Sequence, residues 1–365
     1  MNYSIGSVYR IFNQEPSAFL ALSVSQLKAQ FPHVPSYRFE QIYQWIYKGA
    51  ISFSAMANLP AALRTELANT YRIKSSIITA TQAASDSSIK VQLALEDGGK
   101  IEAVLLEDGA GRKTACLSTQ VGCAAGCVFC KTGTLGLKRN LRAHEMFEEY
   151  LHLKELRSNT IDNIVIMGMG EPLLNLDELC KVLSIFTNPF AGQVKAGAIP
   201  GAGLSRRRIT VSTCGIASGI NALADKGPMV RLALSLTCAN QALRDVLMPL
   251  SKANPLMVLK ESLTRYQEKS GERLTLEAVL LSGLNTSEEA ACEMALFAKG
   301  LDVVVNLIPW NTVAGLTFRD MPLRSPSPAE TRRFAHALEA RGLSTTIRME
   351  KGRTVSAACG QLGSV

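Results

Sequence analysis

Cys123, Cys127 and Cys130 stand in the segment VGCAAGCVFCKTG with a C-x3-C-x2-C spacing. They follow a short β-prone run and lie on a Gly-rich stretch. Such a loop can wrap a compact metal centre, which a strand or a regular helix cannot. Three thiolates are soft ligands that suit iron in an iron–sulfur cluster. A four-iron cube has four corner irons, so three protein ligands leave one iron open to a small molecule. A catalytic zinc keeps one position free in the same way. Structural zinc and unligated buried thiols are the two other readings of these residues. Zinc asks for four protein ligands, in paired C-x2-C groups. No second pair lies near, and the four histidines (His33, His144, His152 and His336) are remote in sequence.

The other six cysteines differ in context. Cys180 and Cys292 fall on apolar helical faces and read as small buried hydrophobes. Cys214 and Cys238 follow strand ends and take the same bland reading. Cys116 ends the first strand of the α/β region, seven residues before Cys123. Cys359 sits in the small-residue tail SAACGQLGSV, where a thiol has room to approach another centre. Nine cysteines in 365 residues are too few for a disulfide scaffold, and an odd number cannot pair fully. No stretch is long and apolar enough for a membrane span, and the first twenty residues lack the pattern of a signal peptide. A cytoplasmic setting, with thiols kept reduced, is therefore expected. At 47% apolar and 19% charged residues the chain is globular, not disordered or fibrous.

The elements that position these residues show in the periodicity. Residues 1–74 read as a helical accessory domain, with Phe39, Ile42, Tyr43 and Ile46 on one helical face, that packs on the rest or contacts RNA through its exposed Lys and Arg. Residues 75–108 switch to β-rich runs either side of Asp97-Gly98-Gly99, a hairpin signal. From residue 109 to 354 apolar strands alternate with amphipathic helices. The strand-like runs are 114–117, 163–167, 208–212, 230–236, 274–281, 303–308 and 345–349. Alternation of this kind implies a parallel sheet with crossover helices: an α/β fold, a partial barrel of about six units, with its chemistry at the C-terminal strand ends. The Gly/Pro-rich stretch 192–203 reads as a surface insertion, and residues 355–365 as a tail.

These motifs together resemble the radical S-adenosylmethionine (SAM) enzymes, and within them the RlmN/Cfr group of RNA methyltransferases. The segments that carry the resemblance are ACLSTQVGCAAGCVFCKTG, MGMGEPLLN, RRITVSTCG, NLIPWN and SAACGQL, with RFEQIYQWIY in the N-terminal domain. The resemblance implies a (β/α)6-type radical SAM barrel. Cys123, Cys127 and Cys130 would hold a [4Fe-4S] cluster. Gly170, Glu171, Ser212, the Ser235-Leu236-Thr237 turn and Asn311 would contact SAM. The third place of that turn is His in most of the group and Thr237 here.

The resemblance also implies why two distant thiols are needed. C2 of adenine is not nucleophilic, so a methyl group cannot simply be passed to it. In the group, Cys359 would carry the methyl group, Cys116 would resolve the protein–RNA adduct, and Glu102 would handle a proton. A transient Cys116–Cys359 disulfide would follow. GEPLLN and NLIPWN resemble the branch that methylates C2 of adenosine 2503 in 23S rRNA, and of adenosine 37 in tRNAs. The other branch methylates C8. A non-catalytic RNA-binding metal protein is the alternative from another class. Implied partners are 23S rRNA, tRNA and an electron donor such as flavodoxin or ferredoxin, with the chain a monomer and no membrane involved.

The net charge of +8 fits an RNA partner. Basic residues near the motifs are Lys131, Lys138, Arg139, Arg142, Arg206, Arg207, Arg208, Arg348, Lys351 and Arg353. A solvated surface is the bland reading of any one of these clusters.

Overall fold

The computed structural model describes residues 17–22, 24–156, 160–189, 201–348 and 352–363. Most of the insertion expected at 192–203 lies outside the described residues, as do Met349 and Lys351.

Three helices come first: α1 (Val24–Gln30), α2 (Ser36–Lys48) and α3 (Ala61–Thr70). Helix α2 follows Pro35, whose extended backbone stands at its N-terminal cap, and stops at Gly49. Gly49 adopts φ 104° and donates its N–H back to Ile46, a left-handed stop that glycine makes without steric cost. Phe39, Ile42, Tyr43, Ile46 and Tyr47 form its buried face.

Ten strands then make one sheet: β1 (Ile77–Ala83), β2 (Ile89–Ala94), β3 (Lys100–Glu107), β4 (Lys113–Cys116), β5 (Asn163–Ile166), β6 (Ile209–Thr213), β7 (Arg231–Ser235), β8 (Leu274–Leu280), β9 (Val303–Pro309) and β10 (Ser344–Ile347). Their spatial order is their chain order. Strands β4 to β10 are mutually parallel, and β1 to β4 antiparallel. The parallel part is crossed by α4 (Ala143–Leu156), α5 (Leu176–Thr187), α6 (Ala217–Lys226), α7 (Gln241–Leu247) with α8 (Leu256–Ser270), α9 (Glu288–Ala298) and α10 (Pro328–Glu339). This is an α/β fold of parallel strands and crossover helices, as expected. Every parallel strand predicted from apolar runs is present.

The hairpin at 97–99 forms between β2 and β3 as predicted, but it is no appendage. Through β3 it pairs with β4 and continues the main sheet, and β1 adds a third antiparallel strand. Ser287 and Ser327 cap α9 and α10 by accepting the N–H of Ala290 and Glu330. Asn285 does a different job, donating to the carbonyls of Thr237 and Val279 and accepting from Leu281 N–H.

Helix α4 joins the accessory helices to the sheet. Tyr47 meets Phe147 edge-on at 5.3 Å, within one apolar core that runs from Phe19 to Leu338. The carboxylate of Glu148, fully buried, accepts from the backbone N–H and hydroxyl of both Ser75 and Ser76. Burial raises its pKa despite these bonds. Beside it, burial and then Lys74 push His152 down to about 3, so the ring is neutral. No helix among the described residues is long and apolar enough to cross a membrane.

Candidate active site

The C-terminal ends of β5, β6 and β7 open on a large cavity of about 1050 Å³, mouth included. Cys123, Cys127 and Cys130 line it, on the loop between β4 and α4. Burial raises all three thiols, Cys123 to about 11, so metal binding there must release protons. No group of three His, Cys, Asp or Glu side chains among the described residues is arranged to hold a single ion. Three thiolates on one cavity are soft donors that suit a multi-iron cluster with one iron left open.

Gly170, Glu171, Ser212, Ser235 and Asn311 line the same cavity. Gly170 has φ +105°, and a Cβ there would sit 2.6 Å from that of Gln120, so glycine is required by space as well as by backbone. Glu171 is fixed rather than free. One carboxylate oxygen accepts from Thr213 Oγ1 at 2.7 Å and Leu173 N–H at 3.0 Å, the other from Cys214 N–H at 2.7 Å. Burial nonetheless raises its pKa. Thr213 and Leu173 fill the first oxygen, and the second, bonded to Cys214 N–H, is the one with lone-pair capacity for a ligand. Ser212 and Ser235 face each other, their hydroxyls 3.2 Å apart.

Leu236 and Thr237 are not at the cavity wall. Both are fully buried behind it, and Thr237 is held at φ 59° with its hydroxyl unpartnered. A positive φ is strained for a β-branched residue. Thr237 N–H donates to Glu277 O, and Arg244 donates to the carbonyls of Ser235, Leu236 and Cys214. Arg244 is entirely buried, and nothing in the sequence around it marks it. It serves as a cationic pin for the ends of β6 and β7. Trp310 does similar work, donating its indole N–H to Phe129 O in the cluster loop at 2.8 Å.

The tail reaches the site by threading between the cluster loop and the antiparallel strands. Asn311 donates to Cys359 O, Lys131 N–H to Gly360 O, and Thr132 Oγ1 to Leu362 O. From the other side, Asp86 accepts from Gly352 N–H, and Lys90 donates to Ser356 O. Glu102 lies outside the large cavity. It is buried, 3.2 Å from Lys90, and its other oxygen accepts Gly363 N–H at 2.7 Å. In this structure Glu102 anchors the tail.

Cys359, half-buried, lines the large cavity and also a smaller adjoining one, where it meets Cys116. Burial first, and then Cys359, push the Cys116 thiol up to about 12, with Arg348 opposing and the buried Glu149 reinforcing. All nine cysteines are free. The disulfide implied for Cys116 and Cys359 is not a bond of this resting chain.

Beyond Arg244, five residues escaped the sequence reading or were given another place. Thr213 and Glu277 line the cavity, as does Cys214, which was read as a bystander. Arg348, grouped with the RNA-facing residues, lies in the wall between the two thiols and Glu277. The Arg139 expected to face RNA is instead paired with both Asp97 and Glu145.

Comparison with known proteins agrees with this geometry. The Radical SAM superfamily matches residues 117–295, and the ribosomal RNA large subunit methyltransferase N-terminal domain matches 19–73. A probable dual-specificity RNA methyltransferase RlmN of Treponema denticola is 47% identical over 328 residues, 90% of each chain. The dual-specificity RNA methyltransferase RlmN of Lawsonia intracellularis is 41% identical, again over 90% of each. The crystal structure of a radical SAM methyltransferase from Sphaerobacter thermophilus superposes with a TM-score of 0.86 at 37% identity, covering 95% of this chain and 99% of that one. Radical SAM enzymes use a [4Fe-4S] cluster and SAM, which the three loop thiols and the cavity beside them accommodate. The thiols at the strand ends, the second thiol on the tail and the helical domain in front have one common explanation: the chain belongs to the RlmN family of radical SAM RNA methyltransferases.

Proposed function

We propose that this chain methylates C2 of adenosine 2503 in 23S rRNA and C2 of adenosine 37 in tRNAs, in the cytoplasm. The observation that carries the reading is the placing of Cys116 and Cys359 on one small cavity that shares walls with the cluster cavity. Cys123, Cys127 and Cys130 hold the cluster. Glu171 receives the SAM amino group, and Gly170, Ser212, Ser235 and Asn311 shape its seat. Leu236 and Thr237 act from behind by fixing the turn. When bound, the cluster and SAM supply one-electron chemistry and the methyl group.

Cys359 takes the methyl group as a thioether and presents that carbon to the base. Its carbonyl is held by Asn311, which fixes how far the sulfur reaches into the cavity. Cys116, across the smaller cavity, attacks the Cys359 sulfur: the bond from that sulfur to the base-linked carbon breaks as an S–S bond forms, the carbon takes a proton to become the methyl group, and an external dithiol reduces the Cys116–Cys359 pair for the next turn. Burial raises the pKa of Cys116, so the attack requires a base to take its proton. Glu102 keeps the tail, and so Cys359, in register, and it is the carboxylate from which a proton role was expected. Electrons come from a small donor such as flavodoxin or ferredoxin, and the chain works as a monomer.

Mass spectrometry of rRNA and tRNA from a deletion strain tests the reading. Loss of 2-methyladenosine from both pools is expected, with its return on complementation. Loss of 8-methyladenosine alone would place the chain in the other branch. In the purified chain, Cys359 is expected to carry a methyl group. An unmodified Cys359 beside an intact cluster would sink the thioether step.

A further inference from the structure

The segment 310–327, between β9 and α10, does two things. Its first residues hold the tail: Asn311 donates to Cys359 O, and Thr312 O accepts from the Gln361 side chain at 3.2 Å. Further on it folds back on itself. Thr317–Phe318 and Met321–Pro322 pair as an antiparallel hairpin closed by only two residues, Arg319 and Asp320. Phe318 and Leu323 bury its base in one small core with Trp310 and with Phe129 of the cluster loop, and both of these line the large cavity. Ser282 N–H, just past β8, donates to Arg324 O at 2.9 Å. The hairpin therefore stands beside the cavity, at the C-terminal ends of β8 and β9.

Its tip residues suit their backbone poorly. Arg319 has φ 49° and Asp320 φ 64°. A two-residue hairpin turn needs left-handed backbone at both places, and Asn-Gly or Asp-Gly supplies it with least strain. Strained residues persist where the surroundings hold them, and they gather at functional positions. Arg319 is exposed, with its guanidinium carbon 5.2 Å from the centre of the Phe318 ring. Arg324 is exposed too, and neither arginine forms an ion pair among the described residues. Met321 between them is 63% exposed.

We propose that this hairpin is an RNA-positioning finger, with Arg319 and Arg324 on backbone phosphates beside the cavity and Met321 against a neighbouring sugar or base. The proposal rests on the reading of the chain as an RNA methyltransferase and adds the element that sets the register. Planar guanidinium groups hold phosphate oxygens in pairs and position a strand without reading its sequence. A base that must leave its stack to reach a buried sulfur needs its flanking phosphates fixed nearby. The segment that carries the finger also holds the Cys359 carbonyl, so a strand held by the one is in register with the other. Strain at the tip is stability given up for that placement.

Binding of a labelled transcript of the 23S rRNA segment around the target adenosine, measured between about 50 and 300 mM salt, tests the finger together with thermal unfolding. The double substitution Arg319→Asn, Asp320→Gly removes one cation and one anion and leaves the net charge unchanged. It should raise the thermal midpoint by about 1 to 3 °C. It should also lower the magnitude of the salt slope by about 1 and weaken binding about fivefold near 100 mM salt. Because stability rises in that chain, weaker binding cannot come from unfolding. Arg319→Lys, Asp320→Gly should keep the slope and still gain stability. Arg319→Ala, Arg324→Ala should lower the slope by about 1 to 2 and raise the KM for the transcript about tenfold. Lys299→Ala, on an exposed turn before β9, is the control and should change neither.

Wild-type binding after Arg319→Asn, Asp320→Gly, or no gain in midpoint, overturns the finger and spares the reading if the wild-type chain methylates the transcript. Unchanged RNA binding with slower reduction of the cluster by flavodoxin would give the hairpin to the electron donor and overturns it too. A wild-type chain that neither binds nor methylates RNA overturns both.

Discussion

At the C-terminal ends of the parallel strands, polar groups are buried and already engaged. Glu171 is held by three donors, Arg244 pins three carbonyls, and the Cys116 thiol is kept neutral by burial. At the N-terminal ends of the same strands, Arg208 and Arg231 stand in solvent with no acidic partner among the described residues. One end is built by hydrogen bonds that fix geometry. The other is built by charge that water still screens. Removing a group from the first should therefore cost stability or chemistry, and removing one from the second should cost only affinity for an anion.

The sharpest contrast is Cys359→Ala. Methylation of both RNA pools should fall below detection, while iron content and thermal midpoint stay at wild-type values. Residual methyl transfer in that chain would break the assignment of the C-terminal ends as the reacting end.

Glu102→Ala comes next. It leaves Lys90 as a buried unpaired cation and releases Gly363, a change of about 3–5 kcal/mol by the cost of breaking a buried pair. Chemical denaturation should show the loss, and the tail should become accessible to carboxypeptidase. Glu102→Gln should recover part of it, because an amide oxygen can still accept Gly363 N–H.

A smaller effect separates the thiols by pH. Cys292 is exposed and Cys116 buried. Because only thiolate is alkylated, iodoacetamide should label Cys292 readily and Cys116 slowly near pH 8. The Cys116 rate should then rise about tenfold per pH unit until near its pKa of about 12. Rapid labelling of Cys116 at neutral pH would contradict its burial.

The smallest effect belongs to the other end of the strands. Arg208→Ala should move stability by no more than about 0.5 kcal/mol, as for an exposed residue without a partner. A larger loss in a denaturation curve would mean that this arginine is structural, and the contrast between the two ends would weaken.

What the sequence makes legible follows from how local each signal is. The cluster loop is readable because its three thiols lie within eight residues. The parallel strands are readable because a strand covered on both faces is a short apolar run. Strand β1 escapes because it is exposed nearly throughout and its ITATQA core shows no alternation. Glu148 escapes because its partners, Ser75 and Ser76, are more than seventy residues away, and Arg244 because it serves carbonyls, which any residue has. Glu102 could be picked out by resemblance, yet its contact with Gly363 spans 261 residues and no periodicity reports it. Arg208 is readable as a charge. That it stands at the end of the strands away from the cluster loop becomes visible only once the strands are paired.

The threading of the tail has a consequence for how the molecule is made. Glu102, Thr132 and Asn311 must already be in place before Gly363, Leu362 and Cys359 can bond to them. These residues also follow every strand and helix of the sheet along the chain, so they are synthesised after them. A nascent chain can therefore complete its helical domain and most of its sheet and still lack a working site. Assembly of the site becomes a late event, gated by one long-range docking step.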